Sequence, residues 1–228
     1  NSAVIDGFII TGGNANSTYQ SQTDVHMWHG GGMNNRDFAH PTIKNCTFKG
    51  NFASVNGGGM ANLNSNPMIY DSVFDSNTAS RGGGIANSAS SPRVSKTVFT
   101  ENSSADGYGG AVINADKSRG TYSECTFEYN LSQDGGAIAN NVNSNITVDK
   151  CIFRENSALK NGGAMTNAQS SPIIRNSLFE NNDAKAAGGA IENHDDSSPK
   201  IVYSTFRYNK ASGDLSDGGA ILTNSGVP

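Results

Sequence analysis

The sequence predicts an all-β chain wound as a single-chain parallel β-helix of about eight rungs, each about 26 residues long. Three observations carry this. Gly57-Gly58-Gly59-Met60-Ala61-Asn62 recurs on the same plan from Gly30, Gly82, Gly109, Gly135, Gly162 and Gly188, and more loosely from Gly218. A second signal, Phe-x-x-Asn, alternates with it at Phe48, Phe74, Phe99, Phe127, Phe153, Phe179 and Phe206, in steps of 25 to 28 residues. Asn, Ser, Thr and Gly dominate the turns, and these are poor helix residues. A fixed period in this range is the mark of a stacked repeat, in which each unit leans on the next. A leucine-rich repeat has a similar period but needs a regular leucine frame, and the six leucines here do not align.

In order along the chain, Val4 to Thr11 reads as a β-type apolar run. It joins the repeat if Ile10 takes the phenylalanine slot and Phe8 the slot two residues before it. Asn14 to His29 is the one long insertion, and it holds His26, Trp28 and His29. Long loops on repeat scaffolds often carry function, so these three are binding candidates; the alternative is a cap packing its indole over the first rung. From Gly30 onward each unit has one plan. A short strand follows Gly-Gly and ends at Asn, as in Met60 to Asn62. A polar turn follows, often closing on Pro, and then a strand such as Met68 to Phe74. Phe-x-x-Asn and a second polar turn lead back to Gly-Gly.

Adjacent rungs of such a coil pair as parallel strands about 4.8 Å apart, so eight rungs stand roughly 38 Å tall. The phenylalanines then stack ring over ring. Asn62, Asn87, Asn114, Asn140, Asn167 and Asn193 fall at one turn position, where Asn tolerates left-handed angles and its amide can bond the amides above and below. The residue after each repeat Phe points outward and reads Lys49, Asp75, Thr100, Glu128, Arg154, Glu180, Arg207. Neighbours in that column never repeat a sign, as expected of a structural ion ladder. Cys46, Cys125 and Cys151 share a slot with Ser72, Thr97, Ser177 and Ser204. A position that accepts all three residue types is small and inward, so the thiols are expected to be buried and unreactive.

The totals exclude several classes. A net charge of -4 gives no basic footprint for nucleic acid. No apolar run approaches a membrane span. Asn1 enters a repeat already in progress, and residues 1–228 are expected to be one domain cut from a longer protein.

The turns hold the candidate catalytic residues. Counting four residues past each Phe-x-x-Asn gives Arg81, Asp106, Asp134 and Lys160 on successive rungs. Asp106 and Asp134 one rung apart would be about 5 Å apart, the spacing of a retaining glycosidase pair, and could share a calcium ion. The same column also reads as an ion ladder, two acids bracketed by two bases. His194-Asp195-Asp196 lies on another edge with Asp116/Lys117/Arg119 and Arg36/Asp37/His40. Those clusters are three rungs apart, about 14 Å, beyond even the roughly 6.5 to 9.5 Å of an inverting pair.

Phe-x-x-Asn combined with Gly-Gly-Ala-[Ile/Leu/Val], present at Gly109, Gly135, Gly188 and Gly218, resembles the repeat signature of the polymorphic outer membrane proteins. The resemblance runs over nearly the whole chain from Gly30. Gly162 leads instead to Met165, and the N-terminal copies carry Gly in place of Ala. It implies a right-handed coil, export to the bacterial surface, and often adhesion. The membrane barrel of the full family members is absent from this segment. The expectation is therefore a non-catalytic surface or secreted module, outer-membrane associated or extracellular, that binds a protein or glycan partner or serves as a stalk, with no required cofactor. The alternative is a polysaccharide-degrading lyase or glycoside hydrolase built on the turn carboxylates.

Overall fold

A computed structural model describes residues 3–16, 29–213 and 216–224. Each rung contributes one strand to each of four parallel sheets, and every sheet has eight strands. One rung shows the plan. Thr42–Lys44 lies in sheet 1, Thr47–Lys49 in sheet 2, Phe52–Asn56 in sheet 3 and Met60–Leu63 in sheet 4. Pairing between rungs follows the period, with Phe74 beside Phe48 and Phe99, and Asn87 beside Asn62 and Asn114. The predicted β-helix of about eight rungs is therefore present.

The strand expected over Met68 to Phe74 is two strands, Met68–Tyr70 and Val73–Asp75. The chain turns a corner at Asp71, which adopts φ 49°. The opening apolar run divides the same way, into Val4–Asp6 and Ile9–Thr11 on either side of Gly7. Ile10 does pair with Phe48. Phe8 likewise lies in register with Cys46, and in this first rung it is 60% exposed. Asn14–Ala15 pairs with Phe52 and Ala53, and His29 bridges to Asn56. Both ends of the supposed insertion thus belong to the first rung.

The interior is a set of columns. The phenylalanine rings from Phe48 to Phe206 stack face to face with centroids 4.6–5.1 Å apart. Opposite them, Met60, Ile85, Val112, Ile138, Met165 and Ile191 line the inner wall of sheet 4, all fully buried. Tyr122 stands in a column of Ile and Val. Its hydroxyl donates to Asn114 Oδ1 at 2.9 Å and accepts from Asn87 Nδ2 at 3.2 Å, which explains a phenol in that place.

Polar corners are satisfied by ladders that run the height of the coil. In the Phe-x-x-Asn column each side-chain amide donates to the Oδ1 of the next rung at 2.8–3.0 Å. Its second hydrogen goes to a phenylalanine carbonyl of the rung behind. The Oδ1 also accepts a backbone N–H from the rung behind, so both donors and both lone pairs of each inner amide are used. Asn35, Asn62, Asn87, Asn114, Asn140, Asn167 and Asn193 form a second ladder at 2.8–3.0 Å. A third joins Ser65 through Ser197 by backbone N–H to Oγ bonds. None of these ladder asparagines is left-handed; that conformation falls on the corner residue just before the Phe-x-x-Asn asparagine, such as Gly50, Ser76 and Glu101.

The Gly-Gly corner is steric. Gly57 has φ 67°, and a Cβ there would lie 2.1 Å from the Met60 carbonyl oxygen. A Cβ on Gly58 would meet the Gly83 and Thr78 carbonyl oxygens at 2.5 Å. Cys46, Cys125 and Cys151 are buried and unbridged, their thiols directed at backbone carbonyls. Outside, Lys49 pairs with Asp75, Arg154 with Glu128 and Arg207 with Glu180, as the alternating signs implied.

A corner that carries a β-branched residue is strained. Val142 sits at φ 54°, in the corner position that Asn64 fills at φ 51° three rungs earlier. A β-branched residue there costs on the order of 1 kcal/mol or more. Val142→Asn is expected to stabilise the fold by about 1 kcal/mol, read as a raised thermal midpoint. An unchanged or lowered midpoint would contradict this account of the corner.

Candidate functional site

The outward residues of sheet 4 should be solvated, yet they are buried. Ala61, Ala86, Ile113, Ala139, Thr166 and Glu192 form this column and are 0–6% exposed. They are the floor of a trough along the solenoid axis. One wall is the residue just before each Gly-Gly: His29, Asn56, Arg81, Tyr108, Asp134, Asn161. The other wall is the last strand residue and the corner after it, including Leu63, Ser88, Asp116 and Asn141. Small side chains on the floor and longer ones on both rims leave a cavity of about 400 Å³ over the N-terminal five rungs.

The paired carboxylates expected at Asp106 and Asp134 are not formed. The register places Tyr108 opposite Asp134, because the turn holding Asp106 is longer and shifts the ladder. Lys160 likewise yields its place to Asn161, whose amide donates to Asp134 Oδ1 at 3.0 Å. Arg81 does lie in this wall, beside Asn56 and Tyr108. The column is aligned by counting back from the Gly-Gly corner, since the chain between Phe-x-x-Asn and Gly-Gly varies in length. Among the described residues no three His, Cys, Asp or Glu side chains converge as metal ligands. Of the loop candidates, His26 and Trp28 lie outside the described residues. His29 stands at the N-terminal end of the wall, its Nδ1 2.8 Å from Asn56 Nδ2. The Arg36/Asp37, Asp116 and His194/Asp195 clusters remain three rungs apart.

Glu192 was not foreseen. It occupies the floor position that other rungs give to Ala, Ile or Thr, with Asn34 and Leu222 at the two ends of the column. Its Oε2 has no hydrogen-bond partner, and His194 Nε2 lies 3.6 Å away. His194 Nδ1 is in turn 3.0 Å from Asp195 Oδ2. Burial pushes the Glu192 carboxyl up to about 7; His194 works against this, while Asp134 and Asp195 add to it. The folded value exceeds the unfolded one near 4.5. The fold therefore favours the protonated acid. The resulting stability is complete below about pH 4.5 and is lost as pH rises through about 7. Glu192→Gln should keep the midpoint about 5 °C higher than the native chain at pH 8, with little difference at pH 5. Parallel pH profiles for the two proteins would refute this.

Residues 94–227 match the family described as right-handed beta helix region. No curated protein and no solved structure matches the chain. No helix among the described residues is long and apolar enough to cross a membrane. The match covers more than half of the sequence and spans rungs with the same ladders as the rest. The chain belongs to the right-handed β-helix family.

Proposed function

We propose that this solenoid is a non-catalytic module of a bacterial cell-surface or secreted protein, and that it binds an extended glycan along the trough of sheet 4. The single observation that carries the reading is the trough itself. A pyranose ring is about as long as one rung is tall, so successive sugars would meet the same wall position on successive rungs. The small floor leaves room for rings, Tyr108 offers an aromatic face, and Asn56, Ser88 and Asn141 offer hydrogen bonds on both sides, the composition expected of a polar-ligand site. The likeness to polymorphic outer membrane protein repeats supports export and the surface location.

A second reading, a polysaccharide-degrading enzyme, is favoured by Glu192. A buried carboxyl that keeps its proton near neutrality is suited to general acid catalysis. If it applies, Glu192→Gln abolishes release of reducing ends from a bound glycan; unchanged release would remove Glu192 from that role.

The binding reading is tested by calorimetric titration of hexasaccharides into the native chain, Ala86→Leu and Tyr108→Ala. Ala86→Leu fills the trough with a side chain that the same column already holds at Leu222. Both variants should lose about tenfold or more in affinity. Failure of every hexasaccharide to bind, or native affinity in Ala86→Leu, would overturn the proposal.

A further inference from the structure

The trough has a charge pattern that the repeat does not require. On the outer faces of sheets 1 and 2, Arg93 has no ion pair among the described residues, whereas Arg154, Arg175 and Arg207 each pair with a carboxylate one rung away. Arg81 does not. Its neighbours in the wall are Asn56 and Tyr108, and among the described residues its guanidinium has no ion-pair partner. It is exposed and lines the cavity. Asp116 lines the same cavity from the opposite rim, where its Oδ2 accepts a hydrogen bond from the Ser88 hydroxyl. The two charges are not bridged, so the space between them stays open. The cavity thus has a planar cationic donor on one wall and an acceptor on the other.

Resting on the glycan reading, we infer that the ligand is an acidic glycan, with an anionic group of one sugar seated on Arg81 and neighbouring hydroxyls donating to Asp116. A guanidinium presents parallel N–H donors that match the paired oxygens of a carboxylate or sulfate. A neutral sugar would cover the guanidinium without matching its charge, and desolvating an unmatched ion is costly. An anion without hydroxyls would leave Asp116 facing it across the trough, which is repulsive. A sugar carrying both an acid group and free hydroxyls satisfies both walls. Arg81 is then a specificity-determining residue, while the small floor and Tyr108 set the affinity shared by all glycans.

The test uses hexasaccharides of one backbone in three forms: the uronate, its carboxyl-reduced neutral counterpart, and a sulfated derivative of that neutral form. Each is titrated calorimetrically into the native chain and into Arg81→Gln at low and at high salt. Arg81 is exposed and unpaired, so Arg81→Gln should fold as the native chain does, and its thermal midpoint checks this. At low salt at least one acidic form should bind about tenfold tighter than the neutral form. That preference should shrink at high salt and disappear in Arg81→Gln. Whichever acidic form shows the preference identifies the anionic group. Equal binding of all three forms by the native chain, or a preference that survives in Arg81→Gln, overturns the inference and leaves the glycan reading standing. If none of the three binds, the glycan reading fails and the inference with it.

Discussion

Vertical register is the constraint on which everything else in this solenoid depends. Parallel backbone pairing alone specifies register weakly, because a rung can slide by two residues and keep its side chains on the same faces. The buried amides remove that freedom. Asn130, for example, accepts from Asn102 and donates to Asn156 and to the Phe99 carbonyl, and a slipped rung would leave these groups buried and unpaired. The second asparagine ladder and the serine ladder repeat the constraint at two other corners. Stacked phenylalanines follow from this alignment and add contact area to it.

The trough is a by-product of the same register. Two steric glycines make the corner between sheets 3 and 4 tight, which brings the wall residue before Gly-Gly close over the outward residue of the next strand. Repeated on every rung, this makes a continuous furrow whose floor is set by one residue per rung. The repeat fixes the geometry of the furrow but not its chemistry. The wall identities from His29 through Asp134 differ on every rung, unlike the ladder positions, which repeat Asn or Ser. Variation at a geometrically invariant position is where a solenoid can acquire a ligand without altering its core.

Much of the fold was legible in the sequence, because the periods of Phe-x-x-Asn and Gly-Gly are periods of the core. The phenylalanine stack, the inner wall from Met60 to Ile191, the charge column from Lys49 to Arg207 and the buried thiols all follow from those two signals. The four-sided rung was not legible. Residues such as Asp71, Lys96 and Tyr129 turn corners at positive φ without being glycine or asparagine, so nothing local marks the break. The wall of the trough was misaligned for a related reason. Counting forward from Asn placed Asp106 beside Asp134, whereas the turn at Asp106 is longer than its neighbours and only the distance to the next Gly-Gly is fixed. Glu192 was invisible because its burial depends on neighbours from other rungs, and one acid among alternating residues carries no signal of its own.

These features converge on one claim, that the furrow over sheet 4 is where this β-helix meets its partner. Hydrogen–deuterium exchange with and without a saturating acidic hexasaccharide tests it most directly. The account predicts added protection over Asn56–Leu63, Arg81–Ser88 and Tyr108–Ala115, successive rungs of one face, with sheets 1 and 2 unchanged. Protection confined to the outer faces of sheets 1 and 2, with those three segments unaffected, would contradict it.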